Sequence, residues 1–284
     1  MTKIEDLNND HTNQWCPGCG NFPILLALKQ AIAQLNLNPK DVVMVSGIGC
    51  SGKTPHYINT YGIESIHGRP VAAATGVHLT NPNLTVIAVG GDGDGYGIGL
   101  NHFIQAVRRN INITYVVFNN MIYALTKGQT SPTSLKGTKT KSTPHGAVEY
   151  PVNPLALALA ADGTFVSRGF SGKLDHLTNL IKMGIQHNGF SLIDVFQPCI
   201  SWNHTQTYDF YMNKTYDLQS EGYQPNNKDE AFKKAREWGP RIPIGIFYKE
   251  ERKSYVDELP WAKPPVALDN IDNIDIEPLL EKYY

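Results

Sequence analysis

Three observations predict an α/β fold built on a mainly parallel sheet. Residues 84 to 125 pass from an apolar run, Thr85 to Val89, to a segment with Leu100, Phe103, Ile104 and Val107 at helical spacing, then to a second apolar run, Ile113 to Phe118. That is the right-handed strand–helix–strand unit of a parallel sheet. Further short apolar runs, Val42 to Ser46, Thr164 to Ser167 and Ser191 to Phe196, lie among segments that read as helices. The strands also end in polar or glycine-rich clusters, and open α/β sheets bind ligands at the carboxyl ends of their strands.

Composition narrows the class. A chain of 284 residues can bury a full core, as one large domain or one domain plus an extension. A formal net charge of −1 gives no basis for a nucleic-acid surface. No apolar run reaches the length of a membrane span, and the start MTKIEDLNND is too polar for a signal peptide, so the expectation is a cytoplasmic protein without a membrane or nucleic-acid partner. Four cysteines in such a chain point to metal or redox chemistry more than to structural disulfides.

Cys16-Pro-Gly-Cys19 is a tight turn that aims two thiols at one centre. Asn21 is placed to cap the following helix, whose stripe is Leu25, Leu28, Ile32 and Leu35. A lone C-x-x-C serves equally as half a zinc site or as a redox dithiol. The strand Val42 to Ser46 leads into Gly47-Ile-Gly-Cys50-Ser-Gly52-Lys53-Thr54, a letter-for-letter P-loop pattern, with Asp194 as its possible Walker-B aspartate. Pro55 and the β-branched and aromatic run after it make a poor helix there, which counts against a nucleotide site. Ser65 to Pro70 is a loop carrying His67, and the small residues AAATGVHL suit a helix packed tightly on a sheet or a cofactor.

The densest signal is Gly-Gly-Asp92-Gly93-Asp94-Gly after the run Thr85 to Val89, matched by Asn119-Asn120 after the run Ile113 to Phe118. Parallel strands bring such clusters together, so Asp92 and Asn120 offer two oxygen ligands for a hard cation such as Mg2+, which usually completes its shell with phosphates. Glycines at 91, 93, 95 and 97 let backbone N–H groups approach an anion near a helix N-terminus. The physical reading is a Mg-diphosphate site. A dinucleotide fingerprint fails because no frame gives G-x-G-x-x-G, and an EF-hand fails because Phe103 stands where its last acid belongs. A glycine-rich turn with no ligand is the plain alternative. Residues 126 to 146 read as a surface loop, a lid or a substrate loop. Asn153-Pro154 starts a helix, and another runs from about Lys173 to His187. Ser191 to Phe196 ends at Gln197-Pro198-Cys199, which places the fourth cysteine on the ligand edge. Residues 1–204 are expected to form the cofactor-binding domain. Residues 205–284, tyrosine-rich, then charged, then proline-rich, are expected to form a C-terminal extension packed on the core or on a partner.

The GDG…NN pattern, with 25 residues between Gly93 and Asn119, resembles the thiamine-diphosphate signature. That resemblance implies a thiamine-diphosphate-binding fold in which Asp92, Asn120 and the Ile122 carbonyl hold the metal. QWCPGCG, GIGCSGKTP, HGR, GGDGDGYGIG and FNNMIYALT, in this order from about residue 14 to 200, resemble the β subunit of the 2-oxoacid:ferredoxin oxidoreductases. The family implies one [4Fe-4S] cluster on Cys16, Cys19, Cys50 and Cys199. It also implies contacts to thiamine diphosphate from Ile48, Gly49, Cys50, Ser51, His67, Gly93, Asp94, Ala124 and Leu125. The implied reaction is coenzyme A-dependent oxidative decarboxylation of a 2-oxoacid, with the thiazolium as electron sink and ferredoxin as electron acceptor. His67 and Lys53 are the candidate catalytic side chains, Lys53 as partner of the distal carboxylate of 2-oxoglutarate, with pyruvate a close alternative. The chain has room only for the diphosphate-binding domain, so an α subunit should supply the pyrimidine-binding domain and its activating glutamate. A non-redox thiamine decarboxylase or a zinc-structured binding module are the competing classes.

Overall fold

The structure, a computed structural model, describes residues 1–259 and 275–283. In chain order its main elements are α1 (Asn21–Gln34), β1 (Val42–Ser46), β2 (Tyr61–Glu64), α2 (Pro70–Thr80), β3 (Thr85–Gly91), α3 (Leu100–Arg108) and β4 (Thr114–Asn119). A two-residue hairpin, β5 (Ile122–Tyr123) and β6 (Gln129–Thr130), comes next. Then follow α4 (Pro154–Ala160), β7 (Phe165–Phe170), α5 (Leu174–Gln186), β8 (Ser191–Phe196), α6 (Tyr208–Lys214), β9 (Thr215–Asp217), α7 (Lys228–Ala235) and β10 (Ile242–Lys249).

The sheet runs β2-β1-β3-β4-β8-β7-β10-β9, parallel from β2 to β7. Strands β1, β4, β7 and β8 are buried along their whole length; β1, β4 and β8 read as largely apolar runs rather than as alternation, while β7 also buries Ser167 and Arg168. Helices cover both faces. Ile24, Leu28 and Ile32 of α1 and Leu177 and Ile181 of α5 pack on Met44, Ile87, Val116 and Ile193. On the other face α2, α3, α4 and α7 bring Val71, Phe103, Leu155 and Ala231 to Val45, Ala88, Val117 and Leu192.

The chain leaves β1 toward β2 on one side and leaves β3 toward β4 on the other. The carboxyl ends of these two neighbours therefore flank the switch point where open α/β sheets bind ligands. Gly47 to Cys50 and Gly91 to Asp94 lie there.

One sequence expectation changes, and two are made more specific. Residues 205–259 pack on the core and extend its sheet: β10 pairs antiparallel with β7, β9 pairs with β10, and α7 packs against the core. The proline-rich part of the expected extension, residues 260–274, lies outside the described residues. Asn21 does not cap α1; Gly20 is the N-cap, without a side-chain bond, and Asn21 is the first helical residue. Ser51–Tyr57 is a 3-10 segment, so no α-helix opens at the P-loop look-alike.

Away from the ligand edge, Thr164 ties three segments together. Its hydroxyl donates to Asn110 Oδ1 at 2.7 Å, which leaves its oxygen to accept from His187 Nε2 at 2.8 Å. Burial pushes the His187 pKa down to about 4. Between about pH 6.5 and pH 4 the unfolded chain therefore binds a proton that the folded chain refuses, and stability should fall as pH drops through that window. Urea midpoints at pH 7 and pH 5 test this: wild type should lose stability on acidification, and His187→Gln should lose less.

Candidate functional site

The loop after β1, the loop before α2 and the turn after β3 meet on one carboxylate. Asp94 Oδ1 accepts from the backbone of Gly68 at 2.7 Å and of Ile48 at 3.1 Å, and pairs with His67 Nδ1 at 2.7 Å. The side chain is 1% exposed. The approach is close enough that a Cβ on Gly47 would stand 2.0 Å from Asp94 Oδ2. Glycine is needed two residues later for a different reason. Gly49 has φ +129, and a Cβ there would meet no protein atom within 4 Å. The backbone at this point borders open space.

That space is a cavity of about 120 Å³ at the switch point. Ile48, Gly49, Cys50 and Ser51 line it from β1, His67 from the loop before α2, and Asp92, Gly93 and Asp94 from β3. Asn120, Ile122, Ala124 and Leu125 line it from β4 and the hairpin. The residues expected to contact thiamine diphosphate and its cation thus share one wall. Burial raises the Asp92 carboxyl to about 6, against hydrogen bonds from Ser131 Oγ at 2.5 Å and Thr133 Oγ1 at 2.6 Å. Asn120 Oδ1 accepts from Ile122 N–H at 3.1 Å, across Met121, which sits at φ +60.

The 126 to 146 loop is not simply a surface loop or a lid. Ser131, Thr133 and Ser134 within it are buried: Ser134 Oγ donates to the Met121 carbonyl at 2.6 Å, and Ser131 and Thr133 reach back to Asp92. Asp194 is no Walker-B ligand. It is 0% exposed and bonded to Tyr96 Oη at 3.0 Å, Asn119 Nδ2 at 3.1 Å and Arg168 Nε at 3.4 Å.

A second cavity, of about 230 Å³, adjoins the first and is lined by Cys16, Cys19, Cys50 and Cys199. Burial pushes the Cys19 thiol up to about 12, and the other three cysteines add to it; burial takes Cys50 to about 11. Among the described residues, no group of three or more His, Cys, Asp or Glu side chains is arranged to hold a metal ion. Trp15 Nε1 donates to the Cys50 carbonyl at 2.7 Å and steadies the loop between the cavities. Lys53 lines this second cavity, not the first, and is half-buried without an ion-pair partner among the described residues. Cys50, Asn120, Ala124, Leu125 and Gln197 line both cavities.

Sequence reasoning missed Asn21 as a lining residue, whereas Ser51 was expected there. Asn21 is 1% exposed, lines the first cavity, and has no partner for Oδ1 or Nδ2; Ser51 Oγ is likewise buried and unpartnered there. A buried unpaired amide costs about 1–3 kcal/mol. Such orphans fit a polar ligand. The only cue to Asn21 in the sequence was its place beside a cysteine motif.

Asp94→Ala should leave three donors of two loops unpaired. The expected cost is about 3 kcal/mol or more, read as a lower urea midpoint, with faster proteolysis confined to residues 47–70.

Comparisons with known proteins agree with this geometry. Residues 41–195 match the family described as thiamine pyrophosphate enzyme, C-terminal TPP binding domain. Residues 199–263 match the family described as the C terminal of the pyruvate ferredoxin oxidoreductase beta subunit. The chain is 47% identical over 269 residues to 2-oxoacid:ferredoxin oxidoreductase 1, subunit beta, of Aeropyrum pernix, covering 91% of this chain and 85% of that one. It is 47% identical over 201 residues to the 2-oxoglutarate oxidoreductase subunit KorB of Mycobacterium tuberculosis, covering 71% and 54%. Its fold is similar, with a TM-score of 0.91 and 35% identity, to a solved 2-oxoglutarate:ferredoxin oxidoreductase from Magnetococcus marinus with 2-oxoglutarate, coenzyme A and succinyl-CoA bound. That match covers 100% of this chain and 96% of the other. With a thiamine-site sheet edge, four cysteines around an adjoining cavity and this identity over nine-tenths of its length, the chain belongs to the β subunits of the 2-oxoacid:ferredoxin oxidoreductases.

Proposed function

We propose that this chain is the cofactor-bearing subunit of a cytoplasmic enzyme that decarboxylates a 2-oxoacid oxidatively to an acyl-coenzyme A and passes electrons singly to ferredoxin. The observation that carries this reading is the wall shared by the two cavities. Cys50 belongs to both, so a redox centre in the second lies one residue from a cofactor in the first.

The polar, glycine-rich lining of the first cavity suits the diphosphate end of thiamine diphosphate. Asp92, Asn120 and the Ile122 carbonyl would hold its Mg2+, and the glycine-rich backbone and the orphaned Asn21 and Ser51 groups would meet its polar atoms. When bound, it supplies the electron sink that decarboxylation of a 2-oxoacid requires. Around it, Asp94 holds the His67 ring in orientation, Tyr123 Oη bonds the Gly93 carbonyl at 3.1 Å, and Ile48 and Leu125 supply apolar walls. Thiols that surround a cavity rather than a point suit a [4Fe-4S] cluster better than one tetrahedral zinc.

The site is completed by a partner α subunit. At about 120 Å³ the first cavity is well below the roughly 300–1,000 Å³ of small-molecule pockets, so this chain builds one wall of it. Exposed Ile48 and Leu125 line that wall, Ile66 and Ile98 flank the His67–Gly68 loop, and β2 is an exposed sheet edge carrying Tyr61 and Ile63. Apolar residues and a bare edge of this kind are normally covered. The α subunit would supply the activating glutamate.

The substrate favoured is 2-oxoglutarate. Lys53 is an uncompensated cation two residues beyond Ser51, and a distal carboxylate is its natural partner. The relatives named for 2-oxoglutarate support this choice.

The reading is tested on protein purified without oxygen together with its α subunit. Wild type should show broad iron–sulfur absorption and about four irons per β chain. Each Cys→Ala variant should lose most of that iron, and a Cys199→Ala protein with a full cluster would remove this residue from the ligand set. For substrate choice, Lys53→Met should lower kcat/KM for 2-oxoglutarate by about ten- to a hundredfold and spare pyruvate, the loss expected for one charge-assisted hydrogen bond. Equal losses on both substrates would assign Lys53 to the loop or the cofactor instead.

A further inference from the structure

One amide belongs to both cavities and bonds a candidate ligand in each. Gln197, on the turn after β8, is 1% exposed. Its Nε2 donates to the Pro198 carbonyl at 2.8 Å and to Cys19 Sγ at 3.4 Å. Its Oε1 accepts from Asn120 Nδ2 at 3.0 Å. The backbone holds the residue in place, since Gln197 N–H donates to the Asn119 carbonyl at 2.9 Å.

The orientation of both amides follows from a single acceptor. A carbonyl can only accept, so the Pro198 oxygen fixes which end of the Gln197 amide is nitrogen. With Oε1 fixed, Asn120 must present its own NH2 to it. Asn120 Oδ1 then faces the other way, where it takes the Ile122 N–H and keeps a second lone pair for a cation. On the other side, an N–H given to a sulfur stabilises negative charge on that sulfur. Hydrogen bonds to cluster sulfurs are among the factors that set cluster potential.

We propose that Gln197 is a positioning residue that couples the two cavities: it presents Asn120 Oδ1 to the cation of the first and raises the reduction potential of the cluster in the second through Cys19. This rests on the cofactor assignment above. One side chain then sets both the grip on the cation and the ease with which the neighbouring cluster accepts an electron.

The test uses the assembled two-subunit protein, purified without oxygen. An EPR-monitored redox titration reads the cluster potential, and calorimetry reads thiamine diphosphate binding against Mg2+ concentration. In Gln197→Leu both contacts are gone. At a fixed solution potential the reduced-to-oxidised ratio should fall about tenfold, equivalent to about 59 mV for a one-electron couple. The Mg2+ needed for half-maximal cofactor binding should rise by about tenfold as well. Gln197→Glu keeps an acceptor for Asn120 and removes the amide N–H, so the potential should fall while the Mg2+ dependence stays as in wild type. A wild-type potential in either iron-loaded variant, or an unchanged Mg2+ dependence in Gln197→Leu, overturns the proposal. So does loss of iron from both variants with helix content intact, because Gln197 would then hold the cluster rather than tune it. A wild-type protein that carries no iron overturns the cofactor assignment itself, which keeps the two failures apart.

Discussion

The ligand edge of this protein depends on one carboxylate oxygen. Loops that leave parallel strands carry N–H groups with no ladder partner, and burying them unpaired is costly. Asp94 Oδ1 supplies the partner for Ile48 and Gly68 together, and takes His67 as well. Three groups converging on one atom fix the separation of two loops and the turn after β3. The close approach at Gly47 is a consequence, since no side chain fits against that carboxylate. The cavity at the switch point is what remains between loops held in this way.

Three aspartates stand near the carboxyl ends of β3 and β8, on either side of β4, and their partners divide their roles. Asp194 is wholly internal, held by Arg168, Tyr96 and Asn119, and it locks β4, β7 and β8 together. Asp94 organises loops. Asp92 is matched mainly by hydroxyls, from Ser131 and Thr133. A hydroxyl rotates and can give as well as accept, whereas a backbone N–H cannot turn away. Asp92 is therefore the acid whose partners are most readily exchanged, and the segment just after the hairpin, which carries those hydroxyls, borders the site.

The two cavities share a wall because β1 and β8 end beside each other's loops and α1 begins against both. Cys50 arrives from β1, Cys199 from β8, and Cys16 and Cys19 from the turn before α1. Because β3 and β4 lie between β1 and β8 in the sheet, it is the loops and not neighbouring strands that bring the four cysteines to one cavity. The edge at β2 and the exposed isoleucines around His67 lie on the side of the first cavity, while this chain's own Trp15 and Trp202 line the second, where Cys16 is exposed.

Strands that are buried on both faces are legible in a sequence, because continuous apolar runs need no context. Val42–Ser46 and Ser191–Phe196 have the limits that the runs themselves give. The positions after strand ends were legible for the same reason, which is why residues as distant as Ile48, Asp92 and Asn120 could be grouped before their meeting in one cavity was seen. The last strand was hidden. Pro243 and Gly245, the latter at φ +113, interrupt the run Ile242 to Lys249, and proline and glycine inside a run argue against a strand. Only pairing with β7 shows that it closes the sheet. Tertiary structure alone decided the polar partners. Ser131 and Thr133 on Asp92, Gln197 between Asn120 and Cys19, and the unpartnered Asn21 carry no periodic signal, because a hydrogen bond between distant segments depends on a distance that spacing along the chain does not encode.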